Sequence, residues 1–200
     1  RDRLRSRGLG DVYKRQGFQV IMTDIAVPLT VRREVAMSRA VYEGRAKVEG
    51  IEGILVRNYQ EALAVLEENK IAVIVDPKAE IRKEFHPDLL VDAILAKKNL
   101  GTARDMAPLT IALGPGFTAG QDVDAVVETK RGHRLGRIIW EGSAIANTGI
   151  PGIIGGYGKE RVIHAAAAGV FEDVRRIGDI VAEGETIAQI RTADGTITPV

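Results

Sequence analysis

The clearest pattern of apolar and polar positions lies between residues 18 and 77. Residues 18–24 are mostly apolar and end in an acid, which is typical of a buried strand. Residues 58–70 place alanine and leucine on one face of a helix and glutamates on the other. Residues 71–75 are entirely apolar and are followed by Pro77, so they predict a second buried strand. The spacing of these segments predicts a strand–helix–strand unit of an α/β protein.

Weaker patterns predict the remaining elements of the first 160 residues. Valines at roughly helical spacing after Pro28 predict a helix over residues 29–41. Short apolar runs separated by glycines predict strands and turns up to residue 56. Further strands are predicted at residues 89–95, 109–113, 123–129 and 135–142, the last two as a hairpin around residues 130–134.

The chain changes character near residue 160. Residues 161–200 contain short strand-like runs punctuated by glycines, including an I-G-D-x-V stretch and a later E-G-E turn. This tail resembles half of a barrel-sandwich hybrid, the fold of biotinyl and lipoyl carrier domains. Those carriers present a modified lysine after this point, whereas residues 191–200 contain no lysine. A swinging-arm role is therefore disfavoured, and we expect a small, truncated β domain.

Gly8 and Gly10, with Asp24 downstream, suggest the glycine loop of a dinucleotide-binding unit. However, the segment before Gly8 is too rich in arginine for a buried strand, and the seven residues after Gly10 are too few for a helical crossover. Residues 1–16 resemble translated adapter DNA, and we expect them to be a non-native scar. Residues 17–160 are then predicted to be a Rossmann-like α/β domain with a β-rich insert, incomplete because it lacks the first strand and glycine loop.

Composition narrows the class of protein. The formal net charge is +1, but without residues 1–16 it is −3, with 22 basic and 25 acidic residues. A mildly acidic body gives no electrostatic argument for nucleic-acid binding. The absence of cysteine excludes disulfides, thiolate metal sites and a cysteine nucleophile or sulfur carrier on this chain. Because no apolar run approaches membrane-spanning length and no signal peptide is recognisable, we expect a cytoplasmic protein without a membrane partner.

Candidate ligand loops follow predicted strands, at the position where open α/β sheets bind ligands. Asp24 ends the first strand and is either an acceptor for a ribose or substrate hydroxyl or a turn-capping aspartate. Gly114 and Gly116 follow the strand at residues 109–113, where glycine lets backbone N–H groups approach an anion. The loop lacks the G-K-[ST] ending of a phosphate loop, so this signal alone is weak.

Two polar clusters are candidates for holding the anionic part of a ligand. The first, after the strand at residues 89–95, comprises Lys97, Lys98, Asn99, Arg104 and Asp105. The second, in the predicted hairpin, comprises Glu128, Arg131, His133 and Arg137. Arginine binds anions and histidine can transfer a proton near neutral pH, but a solvated loop is the alternative for both clusters. Neither His86 nor His164 has partners at ligand spacing, so we expect no metal site.

Several stretches, taken in order, resemble one protein family. They are residues 17–44, 91–142 and 147–163, and the I-G-D-I-V stretch of the tail. Over residues 17–200 the chain resembles the selenium-dependent molybdenum hydroxylase system family of bacterial accessory proteins. Members of that family begin with a strand and an R-G-x-G-D loop of Rossmann type. Here residues 7–11 carry the letters of the loop without the strand and helix around it.

The resemblance implies a role in maturing or supplying selenium-dependent molybdenum hydroxylases, with the hydroxylase as partner. It implies no established reaction, so whether the chain is an enzyme stays open. We expect a nucleotide-like or molybdenum-cofactor ligand at the loops that end in Asp24, Asn99 and Gly116. The side chains expected at its anionic part are Arg131, His133 and Arg137. The alternatives are an NAD(P)-dependent oxidoreductase and a non-enzymatic scaffold that docks the hydroxylase.

Overall fold

A computed structural model describes residues 9–30, 32–149 and 152–200. In this part of the chain, four sheets combine parallel and antiparallel strand pairs with short helices, which confirms the predicted α/β class. The chain divides into two compact units, the first ending at Ala146 and the second running from Asn147 to Val200. The change in composition predicts a boundary near residue 160. The structural boundary falls earlier, because the described residues from Asn147 onward make their contacts within the second unit.

The first sheet is built around a parallel strand–helix–strand unit. Strand β3 (Ile51–Val56), helix α3 (Tyr59–Glu67) and strand β4 (Ile71–Val75) follow one another, and β3 pairs in parallel with β4. Strand β1 (Ile21–Asp24) pairs in parallel with the other edge of β4, and β2 (Arg45–Val48) pairs antiparallel with β3. The predicted helix after Asn58 and the predicted buried strand at residues 71–75 are confirmed, but the strand that completes their unit is β3, and the strand predicted at residues 18–24 becomes β1 on the other side of β4.

Helix α3 begins where the sequence supplies a cap. The Asn58 Oδ1 atom accepts a hydrogen bond of 2.9 Å from the Glu61 N–H group. In return, the Glu61 carboxylate accepts a hydrogen bond of 2.9 Å from the N–H group of Arg57. These bonds satisfy N–H groups that the start of a helix leaves without partners, so the helix boundary follows from local sequence.

Strand β4 is buried on both faces. Because successive side chains of a strand point to opposite sides, Ile71 and Val73 pack into one core while Ala72 and Ile74 pack into another. Ala62 of helix α3 contributes to the second core. A central strand covered on both sides needs an apolar residue at every position, which explains the uninterrupted apolar run in the sequence.

A seven-residue helix, α1 (Leu9–Arg15), lies directly before strand β1. The sequence predicts no helix here, and this prediction is wrong because a helix too short to cross a sheet can still pack on one. Gly10 is buried, and a Cβ atom at this position would lie 2.4 Å from Met22 Sδ, so a larger residue here would force the Met22 side chain to move. Gly8 lies outside the described residues, and the origin of residues 1–16 stays a prediction.

The helix predicted over residues 29–41 is also wrong. The chain instead forms 3-10 turns at Arg33–Val35 and Met37–Arg39, followed by a short helix, α2 (Ala40–Glu43). Ala36 separates the two turns in an extended conformation, with φ −124° and ψ 141°. The β-branched valines of this segment favour helix weakly, so tertiary packing determines its conformation.

The second sheet contains the loops of the candidate site. Helix α4 (Arg82–Phe85) precedes it, and its strands in spatial order are β5 (Leu89–Asp92), β6 (Leu109–Leu113), β8 (Ala125–Val127) and β9 (Ile138–Ile139). The first three strands are parallel, and β9 pairs antiparallel with β8 as the predicted hairpin. A separate antiparallel pair is formed by β7 (Thr118–Ala119) and β10 (Gly142–Ser143).

One face of the second sheet is covered much better than the other. Strands β5, β6 and β8 follow in chain order across the sheet, and right-handed crossovers then place both connections on one face. On that face Ala112 and Val126 are fully buried against Phe117. On the opposite face the apolar side chains are less buried, and Leu109 and Ile138 are 36% and 54% exposed.

The second unit is an antiparallel β unit. Strand β12 (Ala188–Arg191) lies between β11 (Val170–Asp173) and β13 (Ile197–Pro199). Two side chains of the central strand, Ala188 and Ile190, are 2% exposed. Glu172 of β11 accepts hydrogen bonds from the Arg191 guanidinium, which ties the two strands across their exposed face. The core of this unit is therefore small and centred on β12.

The two-sided burial of strand β4 predicts a strong dependence of stability on its side chains. We expect Ile71→Ala to reduce the free energy of unfolding by about 2–5 kcal/mol, because the lost methyl groups leave a cavity. The matched variant Ile94→Ala, at a position 60% exposed in the same unit, should change it by less than about 0.5 kcal/mol. Urea unfolding followed by circular dichroism measures both, and equal losses would contradict the described core.

Candidate functional site

Two loops meet at the carboxyl edge of the second sheet. One follows β5 and contains Lys98, and the other follows β6 and contains Gly116. A Cβ atom at Gly116 would lie 2.5 Å from Lys98 Cα and 2.6 Å from Lys98 N, so the two backbones touch. Gly116 also has φ +112°, a conformation that other residues rarely adopt. Glycine is required here for both space and conformation, and the contact joins the two loops.

A side-chain network shapes the loop after β5. The Asn99 Oδ1 atom accepts hydrogen bonds of 2.8 Å from the N–H groups of Gly101 and Thr102, and its Nδ2 donates to the Thr102 carbonyl. The Thr102 hydroxyl donates a 2.6 Å hydrogen bond to the buried carboxylate of Asp92, at the end of β5. The Asn99 side chain therefore stabilises the conformation of its own loop, because its Oδ1 and Nδ2 atoms both bond to backbone groups of that loop.

The Glu128 carboxylate, directly after β8, is buried with 2% exposure. It accepts hydrogen bonds from the N–H groups of Lys130 (2.6 Å) and Ile145 (2.8 Å). Burial raises the pKa of this carboxyl, but the hydrogen bonds from Ile145, Lys130 and Thr129 outweigh burial, so the pKa is lowered overall. The carboxylate stays ionised and fastens the β8–β9 hairpin to the segment that contains Ile145.

Beside Glu128, the hairpin borders an open groove of about 340 Å³. Its lining includes Glu128, Arg134, Arg137, Trp140, Glu141 and Ser143. Across the described part of the chain, the guanidinium groups of Arg134 and Arg137 have no ion-pair or hydrogen-bond partner. Trp140, the single tryptophan of the chain, is 65% exposed. The groove thus combines cationic groups, an aromatic ring and a hydroxyl.

The structure brings some of the predicted site residues together. Those at the carboxyl edge are Lys97, Asn99, Gly114 and Gly116. Arg137 lines the groove, whereas Arg131 and His133 are exposed on the hairpin outside its lining. The carboxyl edge therefore provides backbone and lysine groups, and the groove provides arginines.

Two predicted residues lie elsewhere. Asp24 ends β1 in the first sheet, where its carboxylate accepts a hydrogen bond from Ile25 N–H and burial raises its pKa. Arg104 pairs with Asp124, which precedes β8 and so lies at the amino edge of the second sheet. Hydrogen bonds from Thr110 and Arg104 lower the pKa of Asp124. The chain after residue 102 runs back across the sheet, so Arg104 lies at the amino edge and its ion pair with Asp124 stabilises that edge.

Sequence reasoning did not select three residues that the structure places at these sites. Asp92 is a lone acid at the end of an apolar run, which is a signal of a buried structural carboxylate. Arg134 lies among the other hairpin cations, and Trp140 is a tryptophan three residues after Arg137. The exposure of Trp140 and its position beside both arginines follow only from the tertiary structure.

Comparison with known proteins identifies a bacterial relative. The chain is 48% identical over 191 residues to the uncharacterized protein YqeB of Escherichia coli (strain K12), in an alignment that covers 92% of this chain. The chain spans about a third of the length of this relative, since the alignment covers 35% of it. No protein-family model matches the chain. No solved structure matches it either.

Among residues 9–30, 32–149 and 152–200, none of the helices is both long enough and apolar enough to cross a membrane. Within the same residues, no group of three or more histidine, aspartate and glutamate side chains is arranged to hold a metal ion.

The buried Glu128 predicts a pH-dependent contribution to stability. Glu128→Gln should lower the free energy of unfolding at pH 7 by about 1–3 kcal/mol, since the amide replaces one of two acceptor oxygens and leaves a buried N–H without a partner. The pKa is lowered in the folded state, so the advantage of the wild type is present above pH of about 4.3 and declines as pH falls through the folded pKa.

Urea unfolding at pH 7 and at pH of about 3.5 measures this difference. The control is Glu141→Gln, because Glu141 is exposed in the same groove and should have little effect at either pH. A Glu128→Gln effect that stays constant or grows on acidification would contradict the assignment of an ionised carboxylate.

Proposed function

We propose that the chain is part of an accessory protein for selenium-dependent molybdenum hydroxylases. In this proposal it binds a nucleotide-like or molybdenum-cofactor ligand at the carboxyl edge of the second sheet. The observation that carries the proposal is the backbone contact between Gly116 and Lys98, which joins two loops at that edge. Open α/β sheets bind ligands outside the carboxyl ends of their strands, where glycine loops present N–H groups to anions.

The resemblance of residues 17–200 to the accessory family supplies the partner and the ligand class. The proposal therefore includes a cytoplasmic location, a hydroxylase partner and a Rossmann-like origin of the first unit. The parallel unit formed by β3, α3 and β4 supports that origin. The antiparallel sheet of the second unit supports its interpretation as half of a barrel-sandwich hybrid. The reaction, if the protein catalyses one, is not part of the proposal.

Ligand binding tests the proposal through two glycines of the connection between β6 and β8. Isothermal titration with nucleotides and molybdopterin forms should detect binding to the purified chain. Gly116→Ala should weaken that binding by about tenfold or more, because the new methyl group displaces the loop at Lys98 and misplaces its N–H groups. Gly120→Ala is the matched control, since Gly120 has φ +85° but nothing within 4 Å of its Cβ position.

A second pair of variants separates lost binding from lost folding. Lys97→Ala leaves the backbone unchanged and should weaken binding of the anionic ligand, whereas Lys78→Ala, after β4, should not. Circular dichroism confirms that each variant is folded. If the purified chain and its full-length relative bind none of these compounds, the proposed ligand site is wrong.

The weakly covered face of the second sheet favours a second candidate function, which is a scaffold that docks the hydroxylase. Leu109 and Ile138 are exposed apolar side chains on that face. The scaffold should co-purify with a bacterial molybdenum hydroxylase without a bound small molecule. Leu109→Lys should abolish this capture, whereas Leu100→Lys, at an exposed position in the β5–β6 loop, should preserve it. Equal capture by both variants would contradict docking through this face.

A further inference from the structure

We propose that the groove of the β8–β9 hairpin binds a planar aromatic ring that carries a phosphate group. This inference rests on the proposed function and deepens it, because it assigns a subsite and a ligand class to residues that the carboxyl-edge loops do not include. Arg134 and Arg137 hold the phosphate, and Trp140 stacks on the ring. Ser143, whose hydroxyl shares a 3.1 Å hydrogen bond with the Thr118 hydroxyl, also lines the groove.

Two arginines, Arg134 and Arg137, are the cationic groups of the groove. Arginine is always charged in proteins, and its planar fork matches a phosphate through paired hydrogen bonds. Other arginines of the chain form ion pairs with carboxylates, as Arg104 does with Asp124 and Arg39 does with Glu43. Within the described residues, Arg134 and Arg137 have no such partner, although Glu141 lines the same groove. Their donors therefore stay available to a bound anion.

The backbone holds this arrangement in place. The Glu128 N–H group donates a 2.9 Å hydrogen bond to the Arg137 carbonyl, and the Arg137 N–H group donates one of 3.1 Å to the Arg134 carbonyl. The Gly136 N–H group donates to the Glu128 carbonyl over 2.9 Å. The two arginines are therefore fixed on one closed hairpin turn, whose base is fastened by the buried Glu128 carboxylate.

The groove also contains an exposed aromatic ring, the indole of Trp140. A tryptophan is among the most apolar side chains, and one that is 65% exposed beside two cations is typical of a binding surface. The indole offers a flat face on which a purine or pterin ring can stack. The groove is open to solvent along the hairpin, so a ring stacked on the indole can reach both arginines. Phosphate and ring recognition together therefore favour a phosphorylated heterocycle over a simple anion.

Fluorescence of Trp140 tests the inference directly, because this residue is the single tryptophan of the chain. Titration with guanosine monophosphate or with a phosphorylated pterin should quench the emission and shows which ring is preferred. Guanosine, which lacks the phosphate, and inorganic phosphate, which lacks the ring, should each bind about tenfold more weakly or worse. Absence of quenching by both phosphorylated heterocycles would overturn the inference.

Variants separate this subsite from the proposed function. The double variant Arg134→Ala/Arg137→Ala should weaken binding of the phosphorylated ring by about tenfold or more, measured by calorimetry. The control Arg176→Ala removes an exposed arginine of the second unit and should have no effect. Trp140→Phe should retain most of the affinity that Trp140→Ala loses. If the chain binds these ligands with Gly116-dependent affinity but the double variant binds like wild type, the groove assignment fails and the proposed function stands.

Discussion

A central parallel strand requires apolar cover on both faces, and this requirement governs the first unit. Strand β4 meets it from Ile71 to Ile74, since its two faces pack into separate cores. The second sheet meets it mainly on one face, because its parallel strands advance in one direction and their right-handed connections lie together. The same topology places the loops after β5 and β6 side by side at the carboxyl edge. The order of the strands in the second sheet therefore explains two features. One face of that sheet has little apolar cover, and the loops of the candidate site lie side by side.

The candidate site is a structure of loops held by polar contacts. Asp92 and Glu128 are buried acids at the ends of β5 and β8, and each accepts hydrogen bonds from a loop at the carboxyl edge. Such buried carboxylates are stable only when hydrogen-bonded, so these contacts fix the loops to the sheet. Within the described residues, the cations that lie further out, Arg134 and Arg137, have no ion-pair or side-chain hydrogen-bond partner. The groove inference rests on these cations, whereas the carboxyl-edge site rests on backbone N–H groups and Lys97.

Much of the fold could be predicted from local sequence. An uninterrupted apolar run predicted the strand at residues 71–75, helical periodicity predicted the helix after Asn58, and two apolar runs around a polar turn predicted the hairpin at residues 130–134; each is confirmed. The predictions failed at α1 and at residues 29–41, where helix formation depends on what the segment packs against. The candidate site was predicted in part, because loops after strands are recognisable while the path of a long connection is not. Arg104 shows this, since its loop returns to the amino edge.

The sequence by itself determined the α/β class, the central apolar strand and the set of glycine and cationic loops, because these depend on periodicity and residue type. The tertiary structure decided which of those loops meet. It joined Gly116 to Lys98 through a contact that only glycine permits, and it left Asp24 in another sheet. It also decided that Trp140 stays exposed beside Arg137, since exposure depends on neighbours distant in the chain. Contacts of that kind have no local signature, and they are what define the site.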